Sequence, residues 1–143
     1  MLSLTKIFHF EAAHAIYRYN GACARLHGHS YELHICVGAK ADIQNYIEDT
    51  GMILDLKILK KLVHGALLSE LDHKTILSGK YISATNFHIG PEDLVIFPAE
   101  PTVENMLLYI KRKLEEVLPQ NIQLISLKLY ETKDSLAEWK KGW

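Results

Sequence analysis

Two alternating stretches separated by a short loop occupy the first quarter of the chain, and they restrict the fold more than any other feature. Residues 3–14 (Ser-Leu-Thr-Lys-Ile-Phe-His-Phe-Glu-Ala-Ala-His) partly alternate and carry β-formers, which predicts a strand. His29–Ala39 alternates again and predicts a second strand. The segment between them, 15–26, is rich in Tyr, Asn, Gly and Ala and reads as a loop. Consecutive strands with a short link favour antiparallel pairing, which brings His14 opposite the His27/His29 end.

The rest of the chain supplies elements to pack on that hairpin. Over 55–71, Leu56, Leu59, Leu62, Val63, Ala66 and Leu67 recur at helical spacing, with Asp55 as N-cap and Gly51 in the preceding turn. A second helix starts at Thr102, behind Pro101, and presents Val103, Met106, Leu107, Ile110, Leu114 and Val117 before Pro119 stops it. Residues 122–130 predict a third strand and 136–140 a short fourth. The stretch 74–100 shows weak structure apart from one apolar run, Leu94-Val-Ile-Phe97, and reads as a functional or interface loop. The order β-β-α-α-β-β predicts an α+β fold: one domain over 1–143, an antiparallel four-stranded sheet and two helices on one face. Such a sheet has two open edges, for which oligomerisation is a natural cover.

Histidine is the conspicuous residue, with eight in 143 positions and five of them in the first quarter. In an extended His27-Gly28-His29 both imidazoles leave on one side, because the strand period is two. His14 joins them across the hairpin. Three neutral imidazoles suit Zn²⁺ and leave a fourth position open, the mark of a catalytic site. A bare His-x-His is more often a pair of surface or hydrogen-bonded residues, and the third histidine lowers that reading. Cys23, four residues before His27, keeps a rival open: a closed structural Cys-His₃ site. His9 and His34 have the wrong strand parity for the ligand face, and His64, His88 and Cys36 read as structural.

Other classes are disfavoured by composition. The formal net charge is −1 and no basic block occurs, so nucleic-acid binding has no electrostatic footprint. No apolar run approaches a membrane span, and no signal-peptide pattern opens the chain. With only two cysteines, a reducing, cytoplasmic setting is expected.

Six motifs occur in order along nearly the whole chain: Phe10-Glu-Ala-Ala-His14, Cys23-Ala-Arg-Leu-His-Gly-His29, Gly51-Met-Ile-Leu-Asp55, Leu71-Asp-His73, Pro101-Thr-Val-Glu-Asn105 and Tyr130-Glu-Thr132. Together they resemble the 6-carboxytetrahydropterin synthase / 6-pyruvoyltetrahydropterin synthase family. The resemblance implies the tunnelling fold, in which three subunits close their sheets into a barrel and two trimers stack into a homohexamer. It implies zinc on His14, His27 and His29, and a pterin triphosphate substrate, 7,8-dihydroneopterin triphosphate. By the same resemblance Cys23 is the general base, Asp72 and His73 assist proton transfer, and Glu131 and Thr102 bind the pterin. Taken without it, Asp72-His73 reads as a helix end and a surface carboxylate, and Thr102 as a helix cap. The stretches 74–100 and Lys133-Asp134-Ser135 depart from the family pattern.

Two branches of the family fit. One gives 6-carboxytetrahydropterin, for 7-deazaguanine and queuosine synthesis; the other gives 6-pyruvoyltetrahydropterin, for tetrahydrobiopterin. Three residues separate Cys23 from His27, as in the bacterial carboxy branch, where the animal pyruvoyl enzymes have five. A zinc- and pterin-binding module without catalysis is a further reading. Retention of Cys23, Asp72, His73 and Glu131 together argues against it, because binding alone needs only the last.

Overall fold

The computed structural model describes residues 1–142. In chain order its elements are β1 (Ser3–His14), β2 (His27–Ala39), α1 (Leu56–Val63), α2 (Ser69–Leu71), β3 (Lys74–Ser78), α3 (Gly79–Thr85), β4 (Leu94–Phe97), α4 (Val103–Val117), β5 (Ile122–Thr132) and β6 (Ser135–Lys140). The hairpin forms as expected, antiparallel, with His14 paired to His27 and Ala12 to His29. The 55–71 stretch is a helical run in three parts, with a π-helical turn (His64–Leu68) between α1 and α2. Asp55 caps it, accepting from the Lys57 N–H at 2.8 Å. Gly51 holds the positive φ of +69° that its turn requires.

The sheet differs from expectation. It has six strands in the order β4-β3-β1-β2-β5-β6 and is mixed, because β3 runs parallel to β1 and β4 parallel to β3. The four expected strands form its antiparallel part. The other two, with α3, come from the stretch 74–100, which is therefore not a structureless loop. Strands of five and four residues are too short to show a period, and Leu94–Phe97 is apolar throughout rather than alternating. Their strand identity comes from pairing: Lys74, Thr75 and Ile76 lie along Ala12, Ala13 and His14.

One sheet face carries the core. Phe8, Phe10 and Ala12 of β1, Tyr31, Leu33, Ile35 and Val37 of β2, and Leu127 and Leu129 of β5 point into it. They meet Leu59, Val63, Leu67 and Leu71 from the first helical run and Met106, Ile110 and Leu114 from α4. His14 is buried and extends that face by one more step along β1. The opposite face of β1 (Thr5, Ile7, His9, Glu11) is solvent-exposed. His9 and His34 lie on it beside Glu32, and the His34 Nε2 sits 2.6 Å from the Glu32 carboxylate. Strand parity thus separates these two histidines from the other three. β4 and β6 are the open edges, and Ile96 on β4 is 67% exposed.

Candidate metal centre

The three histidines meet where β1 ends and β2 begins. One nitrogen of each of His14, His27 and His29 lies within 4.8 Å of the other two, forming the single such group of potential metal ligands among the described residues. Register explains the convergence. His14 and His27 are cross-strand partners, and His29 is two residues further along the same face.

Ring orientation is set by the main chain. His14 Nδ1–H donates to the Pro101 carbonyl at 2.7 Å, and His27 Nδ1–H donates to the Arg25 carbonyl at 2.7 Å. A carbonyl can only accept, so in each neutral ring the proton sits on Nδ1 and Nε2 carries a lone pair. These two Nε2 atoms face each other at 3.0 Å. Lone pairs aimed at one another repel unless a proton or a metal ion lies between them. Burial lowers the pKa of His14, and burial also lowers that of His29, against the opposing pull of Glu131. The proton is therefore the disfavoured choice. Neutral imidazoles oriented through their second nitrogen are what a zinc site requires, and the donor set fits that ion.

Glu131 is the fourth group at the centre. The pairing of β5 with β6 shifts register between Tyr130 and Thr132, so Glu131 sits in a bulge, a device that re-aims a side chain. Its Oε1 lies 3.2 Å from His14 Nε2 and 3.5 Å from His29 Nε2. Tyr31 forms the floor: it is 1% exposed, stacks on Phe10, and places its hydroxyl 3.4 Å from His14 Nδ1. Burial, and then the Glu131 charge, push its phenol well above the ordinary range, so it stays protonated.

The remaining sequence candidates fall around this centre at different removes. Cys23 is exposed in a single 3₁₀ turn, Ala22–Ala24, and its carbonyl accepts from the Ile16 N–H at 2.9 Å. That bond folds the loop back towards the end of β1, but the thiol is not in the three-nitrogen group. Asp72 Oδ1 accepts from the Glu11 N–H and lies 2.9 Å from His73 Nδ1, while the His73 N–H donates to the Glu11 carbonyl. His73 is held at a left-handed φ of +58° with its ring 79% exposed. The bonds of Asp72 and His73 to Glu11 run to its main-chain atoms, and His73 lines one surface pocket with Glu11, Gly28 and His29. Thr102 caps α4, its hydroxyl accepting from the Asn105 N–H. Cys36, expected as a small buried residue, is half-buried on the outer face. His64 packs edge-on to Phe8, and His88 lies 3.1 Å from the Asn86 amide oxygen.

Sequence reasoning gave no site role to Pro101, Glu100, Asn105 or Tyr31. Asn105 Nδ2 donates to the Glu100 carbonyl at 2.9 Å, and the Glu100 carboxylate accepts from the Tyr17 N–H at 2.6 Å. Together they hold the turn that presents the Pro101 carbonyl to His14. Only Tyr31 had a readable signal, two residues beyond His29 on the same strand face.

Lowered histidine pKa values fix the sign of a pH effect on the metal-free protein. Unfolded imidazoles titrate near 6.5, and His14 and His29 resist protonation in the fold. The unfolded chain then binds more protons below that pH, so stability is full above about 6.5 and declines as pH falls towards the lower folded values. The urea midpoint of metal-free protein is expected to be lower at about pH 5.5 than at about pH 7.5. Equal midpoints would show that these rings are not shielded from protons.

Comparison with known proteins converges on one family. The family model described as 6-pyruvoyl tetrahydropterin synthase matches residues 3–141. A protein of Rickettsia typhi named 6-carboxy-5,6,7,8-tetrahydropterin synthase is 30% identical over 142 residues, covering 96% of this chain and 99% of that protein. The protein of the same name from Aquifex aeolicus is 30% identical over 169 residues, covering 96% and 97%. Among solved structures, Caenorhabditis elegans 6-pyruvoyl tetrahydropterin synthase superposes with a TM-score of 0.71 at 22% identity, covering 99% of this chain and 96% of that one. That likeness is one of fold.

Proposed function

Because this chain belongs to the 6-pyruvoyl tetrahydropterin synthase family, we propose that it converts 7,8-dihydroneopterin triphosphate and one water to 6-carboxy-5,6,7,8-tetrahydropterin, acetaldehyde and triphosphate. The observation that carries the reading is the histidine cluster, with two Nε2 lone pairs facing each other and Glu131 alongside. The names of the Rickettsia and Aquifex relatives and the spacing of Cys23 from His27 support the carboxy branch. The reaction would serve 7-deazaguanine and queuosine synthesis in the cytoplasm. No described helix is long and apolar enough to cross a membrane.

His14, His27 and His29 would hold zinc, which when bound supplies Lewis-acid polarisation of the substrate's side-chain hydroxyls. The chain's own groups do the rest. Glu131 accepts paired hydrogen bonds from the amino-pyrimidine edge and so places the side chain over the histidines. Thr102 adds a contact from the start of α4. Cys23, as thiolate, removes the side-chain proton. Asp72 keeps the His73 proton on Nδ1, which leaves Nε2 free to accept or return a proton. Arg25, exposed just before β2, is a candidate for the triphosphate.

We propose that a second copy of the chain completes the site. Open edges at β4 and β6 support assembly, for which a dimer of trimers is proposed. One experiment addresses both points. Zinc-loaded protein is fractionated by size exclusion with light scattering, and each fraction is incubated with dihydroneopterin triphosphate and analysed by mass spectrometry. The carboxy product and acetaldehyde are expected from the hexamer fraction. A pyruvoyl product would move the chain to the other branch, retained but unconverted pterin would make it a binding module, and an active monomer would refute the shared site.

A further inference from the structure

The parallel pairing of β3 with β1 does more than widen the sheet. Parallel strands leave a sheet at the same end, and the last pair of this ladder is His14 with Ile76. Residues an equal number of steps beyond each partner emerge level with one another. Four steps beyond His14 is Arg18, and four beyond Ile76 is Lys80. Both cations line a single open cleft of about 550 Å³, together with Tyr17, Gly79, Ser83 and Ala84. Lys80 and Ser83 stand three residues apart on α3 and so share one side of it.

The cleft is basic and its charge is not neutralised. Neither Arg18 nor Lys80 forms an ion pair among the described residues, and the Arg18 guanidinium rests on the Tyr17 ring, 5.1 Å from its centre. The carboxylate tied to this turn, Glu100, accepts from the Tyr17 N–H at 2.6 Å and is not in the lining. A guanidinium forks two donors onto one phosphoryl group, and an ammonium adds a movable point charge, so the pair suits a polyphosphate. Position selects which one. Four residues span at most about 14 Å, which bounds the distance of Arg18 from His14. A triphosphate joined to the side chain that sits over the histidines can bridge a gap of that size.

We propose that Arg18 and Lys80 form the subsite for the substrate's triphosphate. This rests on the pterin triphosphate reading above and assigns the anionic tail to residues apart from the pterin anchor and the metal ligands. Arg25 lies outside the cleft lining.

The test uses inorganic triphosphate, whose binding is followed by isothermal titration calorimetry and needs no turnover. Wild type is compared with Arg18→Gly, which suits the left-handed φ of +58° at that position, and with Lys80→Ala, at an exposed one. Lys61→Ala removes an equal charge from an exposed position on α1. Affinity is expected to fall about tenfold or more in Arg18→Gly and in Lys80→Ala, as for loss of a charge-assisted contact, and to hold in Lys61→Ala. His27→Ala protein is expected to keep the wild-type affinity, because the subsite does not include the metal. Loss of binding there would put the anion on zinc and overturn the proposal, as would unchanged affinity in both cleft variants. With dihydroneopterin triphosphate as substrate, the two cleft variants should raise KM about tenfold. An unchanged KM beside weakened triphosphate binding would assign the cleft to another polyphosphate and also overturn the proposal. Triphosphate binding that depends on Arg18 and Lys80, in a wild type that turns over no pterin, would instead sink the pterin reading and keep the polyphosphate site.

Discussion

His27→Ala protein is expected to purify without zinc, while wild type carries about one zinc per chain, as a single three-histidine site requires. The expectation follows from where His27 sits. It is the cross-strand partner of His14, its Nε2 is 3.0 Å from the His14 Nε2, and its ring is fixed by the Arg25 carbonyl. Removing it leaves two imidazoles, and the Ala side chain puts nothing in the third place. His27 is half-buried at the very start of β2, so its loss opens no core cavity and the fold should persist. Metal analysis together with a circular dichroism melt separates loss of ligand from loss of fold. Full zinc retention in a folded variant would refute the assignment.

Cys23→Ala is expected to keep its zinc and lose turnover by about two to four orders of magnitude, the usual range of a general acid–base contribution. The thiol lies outside the three-nitrogen group, in an exposed turn tied to Ile16, so its removal need not disturb the ligands. His73→Ala should likewise impair turnover without metal loss, because its ring contacts Asp72 and not the histidine cluster. Zinc content and product formation are measured on the same samples. Loss of metal with the thiol would make Cys23 a ligand, and survival of both metal and activity would assign the proton transfer to another group.

The parts of this molecule that could be read in advance are those governed by short-range periodicity. Alternation in 3–14 and 29–39 gave the hairpin, and with it the register that unites His14, His27 and His29. Helical spacing of Leu59, Val63 and Leu67 gave the first helical run, although not the π turn inside it. The strands β3 and β4 escaped because four or five residues carry no period, and because the parallel pairing of β3 to β1 and of β4 to β3 depends on crossovers that only packing defines. The site was legible for the same reason as the hairpin, up to its side chains. Its orienting groups were not, because a carbonyl oxygen has no letter in a sequence. The position of Glu131 against the cluster was also hidden. It depends on a bulge at the end of β5 that breaks the strand period locally.

Both observed acceptors that fix imidazole tautomers here, on Pro101 and Arg25, are main-chain atoms. No amino-acid replacement at either position deletes a carbonyl, so the tautomers are insulated from point mutation at the residues that set them. They are vulnerable instead to changes of chain length. One residue inserted between Phe97 and Thr102 would rotate the Pro101 carbonyl away while leaving every metal-binding histidine in place. Evolutionary drift at this centre should therefore tolerate varied side chains in the flanking turns and resist insertions and deletions. Engineers who vary the site should hold the lengths of those turns fixed.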